Sequence, residues 1–383
     1  MECRAFPGLG AKTSLLGFGC MRLPTDAAGV IREEEAAALL RRGLEAEINY
    51  FDTAHFYQNS QNEAFVGRAL AGIPRERYYL ATKLPVWKVE SLDDARAIFA
   101  LQQQRLNTDY FDFYLLHALD RERWEKMEQL GIVAWAEELQ RQGKILRFGF
   151  SFHDDVEVFE RILTSRKWDF CQIQLNYLDS RNLSGVQPGL EGYRLAEQLG
   201  VPLVIMEPVK GGALAMLPQD LEDGLKAAAP ERSSASWALR WAAGLPNVLT
   251  VLSGMSTPEQ LEDNLATFGD FRPLDGSEAA LLEETGEELR RRRRNGCTGC
   301  EYCMPCPAGV DIPGNFKLWN RVGQSRDGAM VWKPWQDFKE EARASRCVGC
   351  GRCEELCPQR IPIREHLALA QAELDRVPRP AGV

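Results

Sequence analysis

The stretch Ile48-Asn49-Tyr50-Phe51-Asp52-Thr53-Ala54-His55-Phe56-Tyr57 runs from apolar residues into an acid and then reaches a phenol. It reads as a strand ending in a functional loop: buried side chains, then a carboxylate, then a second polar group carried by the turn. Similar apolar runs lie on either side, at 15–19, 78–83, 111–117, 145–151, 169–175, 202–206 and 248–253. Amphipathic patterns at 32–47, 61–71, 92–106, 132–142, 156–163, 190–199, 233–243 and 258–268 read as helices between or after them. Gly143 and Gly200 follow their helices, and Asp154 and Thr257 precede theirs, as stop and start signals should. Strand–helix alternation on this scale predicts an α/β fold, a (β/α)8 TIM barrel. A doubly wound open sheet would want Gly-x-Gly-x-x-Gly after the first strand, and none is there. Pro7-Gly8-Leu9-Gly10 reads as a turn between two short strands, and 119–131 as a short loop beside an open barrel mouth.

The chain has 383 residues, 45% hydrophobic and 26% charged, which fits a globular protein of one large barrel plus an appendage. No apolar run is long enough to span a bilayer, and Met1-Glu2-Cys3-Arg4 does not open a secretory signal. A cytoplasmic protein without a membrane partner is expected. Net charge is −9, yet residues 290–383 hold 17 Lys+Arg against 11 Asp+Glu. The body is therefore acidic and the tail basic, and nucleic acid is not an expected partner. The boundary is placed after residue 289, giving domains 1–289 and 290–383. The five arginines at 290–294 end a helix at 277–289 and read as a solvated linker.

In such a barrel the chemistry sits at the C-terminal ends of the strands. Those ends carry Asp52, Lys83, His117, Ser151 and Gln172, each on a different strand. With Tyr57, Gly149-Phe150-Ser151 and Glu207-Pro208, the pattern resembles the aldo-keto reductases from about residue 4 to 268. The resemblance implies NAD(P)H across the C-terminal face and a small-molecule carbonyl reduced, or an alcohol oxidised. A phenol of pKa about 10 is a weak acid at neutral pH, and a neighbouring cation should lower that value. Lys83 is the expected cation, Asp52 its anchor, Tyr57 the general acid, and His117 a hydrogen-bond donor or proton relay. The resemblance places cofactor contacts at Gly19 and Met21, at Ser151 and Gln172 on the nicotinamide carboxamide, and at Met206. It adds Glu207, Val209 and Gly211 over the pyrophosphate and Asn264 at the adenine. Phe152 stands where many members have Asn, and Met206 where they have a stacking aromatic. Gly254, Met255 and Gln260 replace the Lys, Ser and Arg that favour a 2′-phosphate, so NADP and NAD both stay open.

Eight of the eleven cysteines fall between 297 and 357. Clustered cysteines without a secretion signal point to metal or redox chemistry. Cys347, Cys350, Cys353 and Cys357, followed by Pro358, fit the ferredoxin run C-x2-C-x2-C-x3-C-P; Cys297, Cys300, Cys303 and Cys306 have one residue fewer before the last Cys-Pro. In the crossed pattern Cys297, Cys300, Cys303 and Cys357 bind one 4Fe–4S cluster, and Cys347, Cys350, Cys353 and Cys306 the other. Two zinc sites are the competing reading, against which the trailing prolines and repeated x2 spacing argue. The tail resembles the small, α-helical ferredoxin-like domain appended to a subset of aldo-keto reductases. The insertion at 315–337, with Trp319, Trp332 and Trp335, should pack around the clusters or on the barrel.

Nicotinamide moves two electrons as hydride and each cluster moves one, so direct exchange between them needs a flavin or a radical-stabilising substrate; no flavin motif is present, though a barrel can hold flavin without one. A second reading follows: an electron-transfer protein whose barrel binds a flavin or substrate and exchanges electrons with a partner redox protein.

Overall fold

The computed structural model describes residues 1–26, 28–181, 187–324 and 329–379. The chain opens with an antiparallel hairpin, β1 (Cys3–Ala5) and β2 (Lys12–Ser14). Gly8 and Gly10 turn it with φ of +80° and +63°. Eight parallel strands follow: β3 (Leu16–Gly19), β4 (Tyr50–Asp52), β5 (Tyr79–Leu84), β6 (Phe113–Leu119), β7 (Phe148–Phe152), β8 (Phe170–Gln174), β9 (Leu203–Met206) and β10 (Val248–Ser253). They pair in chain order, and β10 closes on β3, so the sheet is a complete barrel. The fold is the (β/α)8 TIM barrel, with a C-terminal ferredoxin-like part.

Side chains alternate across a strand, and this alternation builds the site. Tyr50, Ala81, Leu115, Phe170 and Val204 pack together inside the barrel. Two residues further on, facing the same way, stand Asp52, Lys83, His117, Gln172 and Met206. The hairpin closes the opposite end. Leu9 and Ala11 pack on the barrel core, Arg147 donates to the carbonyls of Leu9 (2.7 Å) and Gly10, and Thr13 donates to Leu249 O at 3.0 Å. Apolar side chains thus plug the end where strands begin and leave polar ones where they finish.

Helices Glu33–Glu45, Asn62–Ala69, Leu92–Leu106, Ile132–Arg141, Val156–Thr164, Gly189–Gln198, Ser234–Ala243 and Pro258–Gly269 lie within a few residues of the expected positions. Two details differ. Asp155, not Asp154, caps Val156–Thr164, accepting from Val158 N–H, while Asp154 accepts from Arg121 N–H. The stretch 119–131 is not a short loop: it holds the helix Arg121–Gln129, capped by Asp120. Only Trp124 and Met127 of that helix are buried, so its sequence lacks a readable apolar stripe.

By packing, the chain forms two units: Met1–Pro208 with Ala235–Asp275, and Val209–Ser234 with Gly276–Val383. The second unit thus takes in 209–234 and the helix Gly276–Arg292, which differs from the division expected after residue 289. Its arginines are no solvated linker. Arg290 pairs with Glu283, Arg291 with Glu288, Arg292 with both Glu288 and Asp220, and Arg294 with Glu373. The helix simply runs three residues further, and its acidic neighbours neutralise the run.

The core of this unit gathers Val310, Ile312, Phe316, Trp319, Trp335, Ile363 and Leu367. Trp319 and Trp335 anchor it through indole N–H bonds to Glu373 (2.6 Å) and Asp375 (3.0 Å). Residues 325–328 of the 315–337 insertion lie outside the described residues. No helix among the described residues is long and apolar enough to cross a membrane.

Candidate functional site

Lys83 is buried at the end of β5, and its ammonium spends all three hydrogens. It donates to Asp52 Oδ1 at 2.6 Å, to Thr53 O at 2.9 Å and to Tyr57 Oη at 3.2 Å. His117 presents its ring edge-on to Tyr57, centroids 6.2 Å apart, and Trp87 lies 5.0 Å from His117 on the centroid measure. The structure therefore brings Asp52, Tyr57, Lys83 and His117 into one buried cluster.

Burial sets the protonation states. It raises the Asp52 carboxyl, against the pull of Lys83. It pushes the Tyr57 phenol well above its usual range, reinforced by the Asp52 carboxylate. The direction is opposite to the lowering expected from Lys83: lost hydration of a phenolate dominates, and the cation that lowers the phenol here, Arg22, does not offset it. Burial, then Lys83, holds His117 well below the usual histidine range. At neutral pH the phenol is protonated and the imidazole neutral, so both can donate a hydrogen bond.

Two buried polar residues just beyond Tyr57 escaped the sequence reading. Gln58, Asn59 and Ser60 turn the chain with φ of +46°, +53° and +65°, a conformation disfavoured for side chains with a Cβ. Asn62, fully buried, stitches this turn down: its amide donates to Cys20 O at 2.8 Å and to the Gln58 side chain, and its oxygen accepts from Thr53. Glu63, also fully buried, accepts from Thr82 and from Gln102, both at 2.7 Å, and Gln102 donates in turn to Lys83 O at 2.9 Å. The loop bearing the phenol and the strand bearing the ammonium are thereby tied to each other. The available signal was an Asn-Glu pair where an amphipathic helix should show apolar side chains.

Ser151 and Gln172 are cross-strand partners on β7 and β8. Ser151 Oγ accepts from Ala118 N–H at 2.7 Å, which leaves its own hydrogen to donate. Gln172 Oε1 is buried with no hydrogen-bond partner among the described residues. A donor beside an unmet acceptor fits the oxygen and amide nitrogen of a nicotinamide carboxamide. Gly19 ends β3 in register with Asp52, Met21 lies in the turn Cys20–Arg22, and Met206 ends β9. Glu207 adopts φ of +55° and stands 3.5 Å from the Arg22 guanidinium. Asn264 is buried and donates to Ser253 Oγ at 2.7 Å. Met255 is buried, and Gln260 accepts from Ser256 N–H, so neither offers charge to a phosphate. Val209 and Gly211 belong to the second unit, where Gly212 and Leu214 N–H groups bond Val209 O.

In that unit, Cys297, Cys300, Cys303 and Cys357 line one cavity. Cys306, Cys347, Cys350 and Cys353 line a second, which Cys303 also borders. Among the described residues no three His, Cys, Asp or Glu side chains converge as a single ion requires. At least four thiols line each cavity, the number that an iron–sulfur cube requires. Burial raises the thiols of Cys303, Cys353 and Cys357, so ligation there must release protons.

Residues 15–287 match the aldo/keto reductase family, and residues 296–361 match the 4Fe-4S dicluster domain. L-galactose dehydrogenase of Arabidopsis thaliana is 25% identical over 308 residues, covering 74% of this chain and 93% of its own length. The NADH-specific methylglyoxal reductase of Escherichia coli is 26% identical over 286 residues, covering 64% and 85%. Among solved structures, aldo-keto reductase AKR11C1 from Bacillus halodurans superposes with a TM-score of 0.62 at 29% identity, covering 74% of this chain and 96% of its own. An aldo-keto reductase from Klebsiella pneumoniae in complex with NADPH gives 0.59 at 25% identity, covering 74% and 95%. The chain belongs to the aldo/keto reductase family of oxidoreductases, in the subset that carries a C-terminal 4Fe-4S dicluster domain.

Proposed function

We propose that this enzyme reduces a small-molecule carbonyl with NAD(P)H, or oxidises the alcohol in reverse, and that Tyr57 is its general acid. One observation carries the reading: a single buried ammonium, Lys83, is shared between Asp52 and the Tyr57 hydroxyl. Ser151 and Gln172 would hold the nicotinamide carboxamide, and the nicotinamide, when bound, would supply the hydride. The carbonyl oxygen sits between Tyr57 Oη and His117. Neutral His117 donates a hydrogen bond that orients and polarises it. Tyr57 then gives up its proton, and the Lys83 ammonium, 3.2 Å away, stabilises the phenolate left behind. Asp52 fixes that ammonium through the 2.6 Å hydrogen bond to its Oδ1. Burial of all four groups excludes water, so the local charges act at full strength.

The two cysteine sets hold 4Fe–4S clusters in the crossed arrangement, a reading supported by the two thiol-lined cavities. They exchange single electrons with a partner redox protein rather than with the hydride itself.

Turnover with nicotinamide deuterated at the transferred position tests the reaction. Deuterium in the product alcohol is expected, and its loss with Tyr57→Phe ties transfer to the phenol. An unlabelled product would overturn the hydride mechanism.

A further inference from the structure

We infer that the two clusters are unequal: the one held by Cys306, Cys347, Cys350 and Cys353 has the higher reduction potential and is the chain's contact with outside electron carriers. The inference rests on the ligand assignment proposed above. Its basis is a contrast between the two cavities.

Arg352 and Arg364 line the cavity of that set. The Arg364 guanidinium lies over the turn that carries the thiols: its Nη1 is 3.5 Å from Gly349 O, and a Cβ on Gly351 would stand 3.8 Å from its Cζ. Glu354 pairs with Arg364 and offsets one charge. Arg352 is exposed and makes no ion pair among the described residues. The turn itself faces water, for Cys350 is exposed and Val348 is 72% exposed.

The cavity of Cys297, Cys300, Cys303 and Cys357 is different. Apolar side chains wall both cavities, and Ile312 is shared, but here the charged lining residue is Glu301 and neither Lys nor Arg lines it. None of its four cysteines is exposed.

Each cluster gains one negative charge when it takes one electron from a one-electron donor. Nearby cations and water stabilise the reduced form, whereas a carboxylate destabilises it. Charge and exposure therefore favour reduction at the same cavity. Because Cys303 borders both cavities, the two clusters are neighbours, and the pair forms a port at the exposed Cys350 turn backed by a less exposed cluster of lower potential.

The test is an anaerobic potentiometric titration of the full chain, reconstituted with iron and sulfide and followed by electron paramagnetic resonance. Two separate midpoints are expected. Arg352→Glu should move the higher one downward and leave the lower in place. Glu301→Gln should move only the lower one, upward. Both substitutions are on exposed side chains, and the iron content of each variant checks that both clusters load. Equal midpoints, or a response of the lower midpoint to Arg352→Glu, would overturn the inference while the ligand assignment stands. Failure of the parent chain to bind eight irons in the dicluster pattern would instead overturn the assignment and the inference with it. Carbonyl reduction is not part of the readout, so loss of that reading leaves this one standing.

Discussion

Lys83 Nζ and Asp52 Oδ1 lie 2.6 Å apart, with both side chains almost wholly buried. Strand alternation explains the meeting. Each residue stands two positions beyond a core side chain, Ala81 and Tyr50 respectively, on adjacent parallel strands. A buried ion pair is weak evidence of stability in itself, yet breaking one from a single side is costly. Here the pair also places the third ammonium hydrogen on Tyr57.

Asp52→Asn should therefore cost about 3–5 kcal/mol, because it leaves the Lys83 ammonium buried without its anion. Asp52→Asn combined with Lys83→Met should recover most of that loss. Neither variant should regain turnover. Urea unfolding of the three proteins measures this; an Asp52→Asn protein as stable as the parent would show that the pair is not coupled.

Tyr57→Phe should lower kcat about 10²–10⁴-fold, the usual worth of a positioned general acid. Nucleotide affinity, which depends on other strand ends, should stay near the parent value. Steady-state kinetics and a nucleotide titration separate the two. A variant that keeps its kcat would remove Tyr57 from the chemistry.

Asn62→Ala should leave the Thr53 hydroxyl, the Cys20 carbonyl and the Gln58 side chain short of a partner, at a cost of about 1–3 kcal/mol. The left-handed turn at 58–60 should then loosen, and kcat should fall about tenfold or more as the phenol loses its position. A lowered melting temperature with an unchanged kcat would make Asn62 purely structural.

His153 predicts a pH dependence of stability. Burial and Arg123 lower its pKa from 6.5 to about 3, and its Nδ1 lies 3.2 Å from Gln187 Nε2, which donates to the neutral ring. Between those values the unfolded chain binds a proton that the folded chain does not. Stability should then fall as pH drops from about 6.5 towards about 3, by at most about 1.4 kcal/mol per pH unit from this residue. His153→Gln should flatten that slope in melting curves taken at several pH values; an unchanged slope would assign it to other groups.

Gly67→Ala should separate two helices. A Cβ there would lie 2.2 Å from Arg105 O and 2.9 Å from Leu106 Cα, so Asn62–Ala69 and Leu92–Leu106 must move apart. Overpacking of this kind costs about 1–3 kcal/mol, readable by urea unfolding. A neutral outcome would mean that the contact is looser than the backbone positions require.

Local order was legible where period and punctuation agreed. The helix Leu92–Leu106 ends where its pattern does, and Thr257 caps Pro258–Gly269 through the Gln260 N–H. The helix Arg121–Gln129 was not legible, because two buried residues among charged ones make no stripe. Asn62 and Glu63 were missed for a related reason: polar residues in a helix read as a solvated face until partners such as Thr53, Thr82 and Gln102 arrive from other elements.

By itself the sequence determined the alternation of strands and helices, the residues that end each strand, and the cysteine spacing. These depend on side-chain period and on distance along the chain, both of which are local. Tertiary structure decided which ends meet, what water they keep and which way their protons lean. Lys83 was expected to make the phenol more acidic, but closure of the barrel buries Tyr57 beside Asp52 and holds it protonated. The physical reason is that desolvation belongs to the whole packed site, and no single residue carries it.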